Sequence, residues 1–205
     1  MKALLCVRYG PPEELELQDL PEPQPGPGEA LIDVKAVGLN YFDLLIIANR
    51  YQVKPPLPFS PGSEFSGIVR AVGDGVSEVT PGDRVCGFLG YGAAREKVIA
   101  PAAALIPLPD SLDFEQAAGL IITYSTAIHA LIDRAKLQAG ETLAVTGAAG
   151  GVGIAAVEVG KILGARVIAC ASSPEKLAFA QAHGADAAIA YSSEDLKERL
   201  RALTG

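Results

Sequence analysis

A chain of 205 residues can hold one large domain or two small ones. Its 49% hydrophobic and 20% charged residues suit a packed globular protein. Only 17 Lys and Arg stand against 24 Asp and Glu, giving a net charge of -7. This excludes a nucleic-acid phosphate track as the main function, since such a track needs a cationic surface.

Residues 1–7 carry one Lys and a short apolar run. The run is too short for the apolar part of a signal peptide and reads as a first strand over 2–7. Further strand-like runs follow at 14–18, 30–37, 67–72 and 97–99, separated by turn signals such as Pro-Gly-Pro-Gly at 25–28 and Pro-Gly-Asp at 81–83. Short strands broken in this way predict a β-barrel-type domain over residues 1–110. Residues 40–49, apolar and free of breakers, predict a short helix instead. No apolar stretch reaches membrane-spanning length. Cys6, Cys86 and Cys170 lie far apart and are odd in number, which argues against a disulfide framework and for a reducing cytoplasm.

After Pro109 the pattern changes. Ser111 or Asp113 can cap a helix whose body runs through 117–135, with Gly140 closing the next turn. Runs 143–146 and 166–171 are short and nearly continuously apolar, as parallel strands covered on both faces are. Helices are expected at about 151–163 and 175–183, then a strand at 187–190 and a charged helix at 193–203. Alternating strands and helices specify an α/β layer over residues 111–205.

The first of these strands runs into Gly147-Ala-Ala-Gly-Gly-Val-Gly153 and then a helix. Gly150 and Gly151 leave room for a pyrophosphate to approach the backbone. Gly153 lets helix pack closely on strand, and Ala149 and Val152 belong to the same cradle. Unpaired N–H groups and the positive dipole end at a helix start favour an anion by ~0.3–1 kcal/mol. A tight glycine turn without a ligand is the alternative, but the strand–turn–helix–strand setting argues for a dinucleotide. The second strand ends in Cys170-Ala-Ser-Ser-Pro-Glu-Lys176, with no carboxylate where an NAD site holds the ribose hydroxyls. Ser172 and Ser173 offer hydroxyls and Lys176 a point charge, so NADPH is the expected cofactor. The plainer reading of Lys176 is an exposed helix residue beside Glu175.

These segments combine with Gly38-Leu-Asn-Tyr-Phe-Asp43, Pro61-Gly-Ser-Glu-Phe-Ser-Gly67, Gly82-Asp-Arg-Val85 and Ile189-Ala-Tyr191. Together they make essentially the whole chain resemble the zinc-independent quinone oxidoreductases of the medium-chain dehydrogenase/reductase superfamily. The resemblance implies a mixed α/β architecture: an N-terminal GroES-like β-barrel-type domain, then a Rossmann-type parallel sheet of which only three strands fall within the chain. Zinc-dependent members use a Cys, a His-Glu pair and a later Cys. The matching positions here are Asn40, Ser63 and Ala118, and an amide, a hydroxyl and a methyl cannot form the N/S site zinc prefers. Glu64 and Asp43 persist without plausible partners and read as structural or supporting residues more than as catalytic ones. The cysteine-rich loop of a structural zinc site is missing between Arg84 and Pro101, and His129 and His183 read as isolated, the first packed on a helix. No metal is expected.

The implied reaction follows from that absence of a Lewis acid. A quinone or enone, already polarised by conjugation, can take hydride from C4 of the nicotinamide while the protein binds, orients and excludes water. Asn40 is the expected partner of the substrate carbonyl or the nicotinamide ribose, and Tyr51 lines the substrate pocket. Thr126 touches the nicotinamide end or is a core helix residue. Tyr191 lies beside the adenosine phosphate. Leu45, where relatives can carry a polar aromatic residue, leaves the acceptor class open. An enoyl thioester reductase is the runner-up, and a non-catalytic NADPH-binding protein the alternative from another class. A homodimer is expected. In the usual strand order 3-2-1-4-5-6, ending after the third strand leaves 143–146 at an edge, so the 205 residues are expected to be part of a longer enzyme, the alternative being a short chain whose edge another subunit covers.

Overall fold

Side-chain alternation sets the register of the N-terminal strands. The computed structural model describes residues 1–205, which divide into two units, Met1–Ile121 and Ile122–Gly205. In the first, β1 (Lys2–Leu5) and β2 (Glu16–Asp19) form an antiparallel hairpin. The long β3 (Glu29–Gly38) is followed by the short helix α1 (Tyr41–Ile47), and β4 (Glu64–Val72) returns along β3. Ile32, Phe65 and Val69 point inward and are at most 1% exposed. Two strands absent from the sequence reading, β5 (Arg84–Phe88) and β7 (Ile106–Pro107), extend the sheet beyond β4. With β6 (Lys97–Pro101) they complete a five-stranded sheet in the order β6-β3-β4-β5-β7. Both missed strands are short and gain their order from pairing, β5 on β4 and β7 on β5.

The helix expected through 117–135 is not one helix. Asp113 caps α2 (Phe114–Ala118) by accepting from the Gln116 N–H at 2.7 Å, and Gly119 ends it. The chain restarts as α3 (Ile121–Ile128) and widens into a π-helical turn over His129–Arg134. Ser66 and Arg84 tie α2 and the segment just before it to the sheet of their own unit. The Ser66 hydroxyl donates to the Phe114 carbonyl at 2.6 Å. Arg84 donates to the Asp110 and Leu112 carbonyls, and its guanidinium lies 4.7 Å over the Phe114 ring.

The second unit is the expected α/β layer, with strand order β10-β9-β8 and all pairs parallel. Strand β8 (Thr142–Thr146) precedes α4 (Gly151–Ile162), β9 (Arg166–Ala171) precedes α5 (Pro174–Ala182), and β10 (Ala187–Ala190) precedes α6 (Leu196–Thr204). On β9, Val167, Ala169 and Ala171 pack with α4 and α5, while Ile168 and Cys170 pack with Ile189 and the leucines of α6. Burial on both faces is why this strand reads as an unbroken apolar run. At the edge, β8 buries Val145 but exposes Ala144 and Thr146. No helix is long and apolar enough to cross a membrane.

The two histidines are not isolated. His129, which the sequence reading packed on a helix, is exposed and pairs with Asp133 at 2.9 Å across one turn. His183 meets Glu158 at 2.6 Å, and the other oxygen of Glu158 accepts the Tyr124 hydroxyl proton, so one carboxylate joins α3, α4 and the end of α5. Burial pushes the Glu158 carboxyl up, but hydrogen bonds from Tyr124 and His183 outweigh it and the net direction is down. The Tyr124 hydroxyl, holding its proton against Glu158 and half-buried, is pushed up from 10.0 to about 12. A raised folded-state value gives stability that is complete below the unfolded value and lost as pH rises through the folded one. Tyr124→Phe should therefore cost about 1–2 kcal/mol at neutral pH, after discounting for partial solvent screening. The difference should fade in urea melts taken between pH 10 and 12; a gap unchanged across that window would contradict it.

Candidate functional site

In the second unit, the turn after β8 is built for close backbone approach. Gly147 takes a left-handed φ of 62°, which turns the chain back on itself. The Gly150 N–H then returns to the Gly147 carbonyl at 2.9 Å. Gly150 stands as N-cap of α4 with extended φ and ψ and offers no side chain to the first-turn N–H groups. A Cβ on Gly153 would lie 2.3 Å from the Gly147 oxygen and 2.9 Å from the Ala148 Cα, so this glycine packs backbone against backbone. Gly150 and Gly151 differ: the nearest atoms to their Cβ positions are the Gly147 oxygen at 3.3 Å and the Thr123 methyl at 3.2 Å.

A pocket of about 260 Å³ opens at this turn, lined by Gly147, Ala149, Gly150, Ala171, Lys176 and Tyr191. It contains four of the residues expected from the sequence and two, Gly147 and Ala171, that were not singled out. The glycine count around a turn cannot say which residue faces the cavity, and Ala171 is simply the last residue of β9. No carboxylate is in the lining. Lys176 is exposed, as its plainer reading had it, yet it leans back along the first turn of α5 so that its Nζ sits 3.3 Å from the Ser172 hydroxyl. Ser173 serves as N-cap of α5, accepting from the Lys176 N–H at 3.4 Å. The Ser172 carbonyl accepts from Ser192 at 2.7 Å, which ties the end of β9 to the segment carrying Tyr191. Gly151, Val152 and Gly153 form the first turn of α4 without lining the pocket, and Thr126 is exposed on α3.

In the first unit, Asn40 is the N-cap of α1. Its backbone N–H donates to Asp43 at 2.7 Å, and its side-chain NH₂ donates to Glu64 at 2.9 Å. Glu64 is 1% exposed, so the amide rests on a buried carboxylate, which takes one of its two N–H groups. Asp43 is buried too and accepts from the Ser63 hydroxyl at 2.6 Å. A largely apolar cleft of about 500 Å³ lies beside Asn40, lined also by Leu15, Leu39, Tyr41, Leu44 and Ile47. Tyr51 does not line it; its ring stacks on Phe42 at 5.5 Å, in the cluster that covers Ile46 and Ile47.

An antiparallel β-sheet unit that places a capping Asn on a buried Glu, followed by a parallel βαβ unit with a bare glycine turn, defines a two-part dinucleotide-linked fold. A family model described as alcohol dehydrogenase GroES-like domain matches residues 26–110, and one described as zinc-binding dehydrogenase matches residues 151–205. Quinone oxidoreductase-like protein 2 of Rattus norvegicus is 40% identical over 205 residues, covering 100% of this chain and 58% of that relative. The quinone oxidoreductase of Thermus thermophilus, solved also in complex with NADPH, is 40% identical with a TM-score of 0.88, and the match covers 100% of this chain and 64% of that one. A structure described as an NAD-dependent alcohol dehydrogenase is 37% identical with a TM-score of 0.96, covering 100% of this chain and 68% of that one. The chain belongs to the medium-chain dehydrogenase/reductase superfamily, as a quinone oxidoreductase-like member with a GroES-like domain and a three-stranded Rossmann-type sheet. It spans 58% of the length of the rat relative.

The description of the second model raises the question of zinc, and the donor set does not fit it. At the matching positions Asn40 is bonded to Glu64, the Ser63 hydroxyl is bonded to Asp43 and lies 3.0 Å from the Gly90 carbonyl, and Ala118 has only a methyl. Zinc prefers thiolate and imidazole, and none stands among these residues.

Proposed function

We propose that the chain carries the acceptor-binding and nucleotide-binding parts of an NADPH-dependent, zinc-independent oxidoreductase acting on a quinone or another conjugated carbonyl. The supporting observation is the pocket at the glycine turn, whose lining contains a lysine and a tyrosine hydroxyl but no carboxylate. A 2′-phosphate there would meet Lys176 and Ser172 rather than be repelled by an acid. The first-turn N–H groups of α4 would take the pyrophosphate. When bound, NADPH supplies a hydride from its nicotinamide. Asn40, held by Glu64, has one amide N–H left for an acceptor carbonyl, or its oxygen for a ribose hydroxyl. An amide polarises a carbonyl far less than a metal ion does, which favours acceptors activated by their own conjugation. The apolar cleft beside Asn40 suits such a ring and keeps water away from it. Tyr51 braces α1 through Phe42.

Calorimetric titration with NADPH and NADH tests the cofactor assignment. NADPH should bind at least ~10-fold more tightly, and Lys176→Met should remove most of that margin, since a charge-assisted hydrogen bond contributes about 1.5–3 kcal/mol. NADH binding as well as NADPH would end the assignment. Oxidation of NADPH with a quinone, an enone and an acyl thioester then ranks acceptors. Turnover of the thioester alone would favour an enoyl thioester reductase, and binding without any turnover a non-catalytic NADPH-binding protein.

A further inference from the structure

Arg95 is a cation without a counter-charge. It lies just before β6, where its backbone bridges Ala3. Its guanidinium enters no ion pair, and its Nε is sealed from solvent without a hydrogen-bond partner. Burial drives its pKa down from the usual arginine range, and no acid offsets that direction. Glu22 and Glu96, which adjoin Pro23 and Arg95 in the sequence, are committed elsewhere. Glu22 holds Lys97 and stands 3.6 Å from Arg70, and Glu96 accepts the Lys2 backbone N–H at 2.7 Å. In a chain with 24 acids and 17 bases, a partly buried arginine left unpaired is a cost that folding alone gives no reason to bear.

The same side chain lines a groove of about 320 Å³ with Pro23, Leu89, Tyr91, Gly92 and Val98. A Cβ on Gly92 would lie 3.8 Å from Arg95 Nη2, which puts that terminal nitrogen beside the Gly92 wall. The groove shares no lining residue with the Asn40 cleft or with the pocket at the glycine turn.

We propose that this groove binds a monocarboxylate with a small apolar body, its carboxylate on the terminal nitrogens of Arg95 and its body against Leu89, Tyr91 and Val98. The guanidinium fork matches two carboxylate oxygens. One uncommitted positive charge calls for a single negative one. A phosphate dianion would need a second cation, and Lys97 and Arg70 are already held by Glu22 and Asp33. The apolar walls favour a hydrocarbon body over a bare ion.

Hexanoate, its uncharged analogue hexanamide and inorganic phosphate are suitable probes, with calorimetry and thermal melting as readouts on the whole chain. Hexanoate should bind at least about tenfold more tightly than hexanamide or phosphate, and Arg95→Met should lose about tenfold in hexanoate affinity. Free of ligand, Arg95→Met should melt at or above the parent, because the unpaired cation is gone. Arg95→Lys, which keeps the charge without the fork, should fall between them and serves if Arg95→Met does not fold. Equal binding of hexanamide, preference for phosphate, undiminished binding by Arg95→Met, or no binding at millimolar hexanoate would each overturn the proposal. None of these results depends on hydride transfer or on the identity of the nucleotide.

Discussion

Gly153→Ala will cost about 3 kcal/mol of folding stability and will abolish nucleotide binding, whereas Gly150→Ala will fold nearly as well as the parent and bind poorly. The contrast follows from what each new methyl would meet. At Gly153 the methyl would sit 2.3 Å from the Gly147 oxygen and 3.0 Å from the Ala148 carbonyl carbon, all main-chain atoms that no rotamer change can move aside. To admit it, the first turn of α4 must lift away from the end of β8, taking its N–H groups with it. The better helix propensity of Ala returns only ~1 kcal/mol. At Gly150 the backbone already has φ -80° and ψ 165°, which any residue adopts, and the single close atom is the Gly147 oxygen at 3.3 Å. That methyl stands in the pocket, so the loss, roughly 1.4 kcal/mol or more, should show in affinity and hardly in the unfolding midpoint. Urea melts and nucleotide titrations on the two variants separate the effects. Unimpaired nucleotide binding by Gly150→Ala would show that the turn is not a phosphate cradle.

Legibility in the sequence followed the range of the interactions. Strands β9 and β10 were readable to the residue, because burial on both faces writes a local apolar run between turns. The glycine turn was readable for the same reason: its requirements lie within a few residues. The break at Gly119 was not. A single glycine amid good helix formers carries little local signal, and the helix ends there because Ser66 and Arg84 hold the preceding turn to a sheet, through bonds that span 48 and 28 positions. The Glu158 link to Tyr124 and His183 spans 34 and 25 positions, and nothing in either neighbourhood announces it. At the Asn40 site the residues themselves could be picked out, but the support could not. Position 40 matches a ligand position of zinc-dependent relatives, and Glu64 reads as a structural or supporting residue, but nothing near it in the sequence says what it supports. The structure supplies that link: the carboxylate accepts from the Asn40 amide and orients it.

That orientation can be broken from a third residue. Gly38, the last residue of β3, would place a Cβ 2.2 Å from the Ala118 carbonyl oxygen and 2.6 Å from Glu64 Cγ. Gly38→Ala must therefore displace α2, whose Phe114 end is tied to Ser66, and must push Glu64 off Asn40. The expected loss is about 3 kcal/mol in a urea melt, together with loss of the hydrogen-bonded signal of the Asn40 side-chain NH₂ in an amide NMR spectrum. Glu64→Gln keeps the side-chain length and an oxygen that can accept from Asn40, so it should keep that signal and cost about 1 kcal/mol or less. Glu64→Ala removes the acceptor, leaves a cavity in a site that is 1% exposed, and should cost about 2–4 kcal/mol with the signal gone. If Gly38→Ala melts with the parent, or if the Asn40 signal survives in Glu64→Ala, then Glu64 does not position the amide and the single N–H left for an acceptor loses its fixed direction.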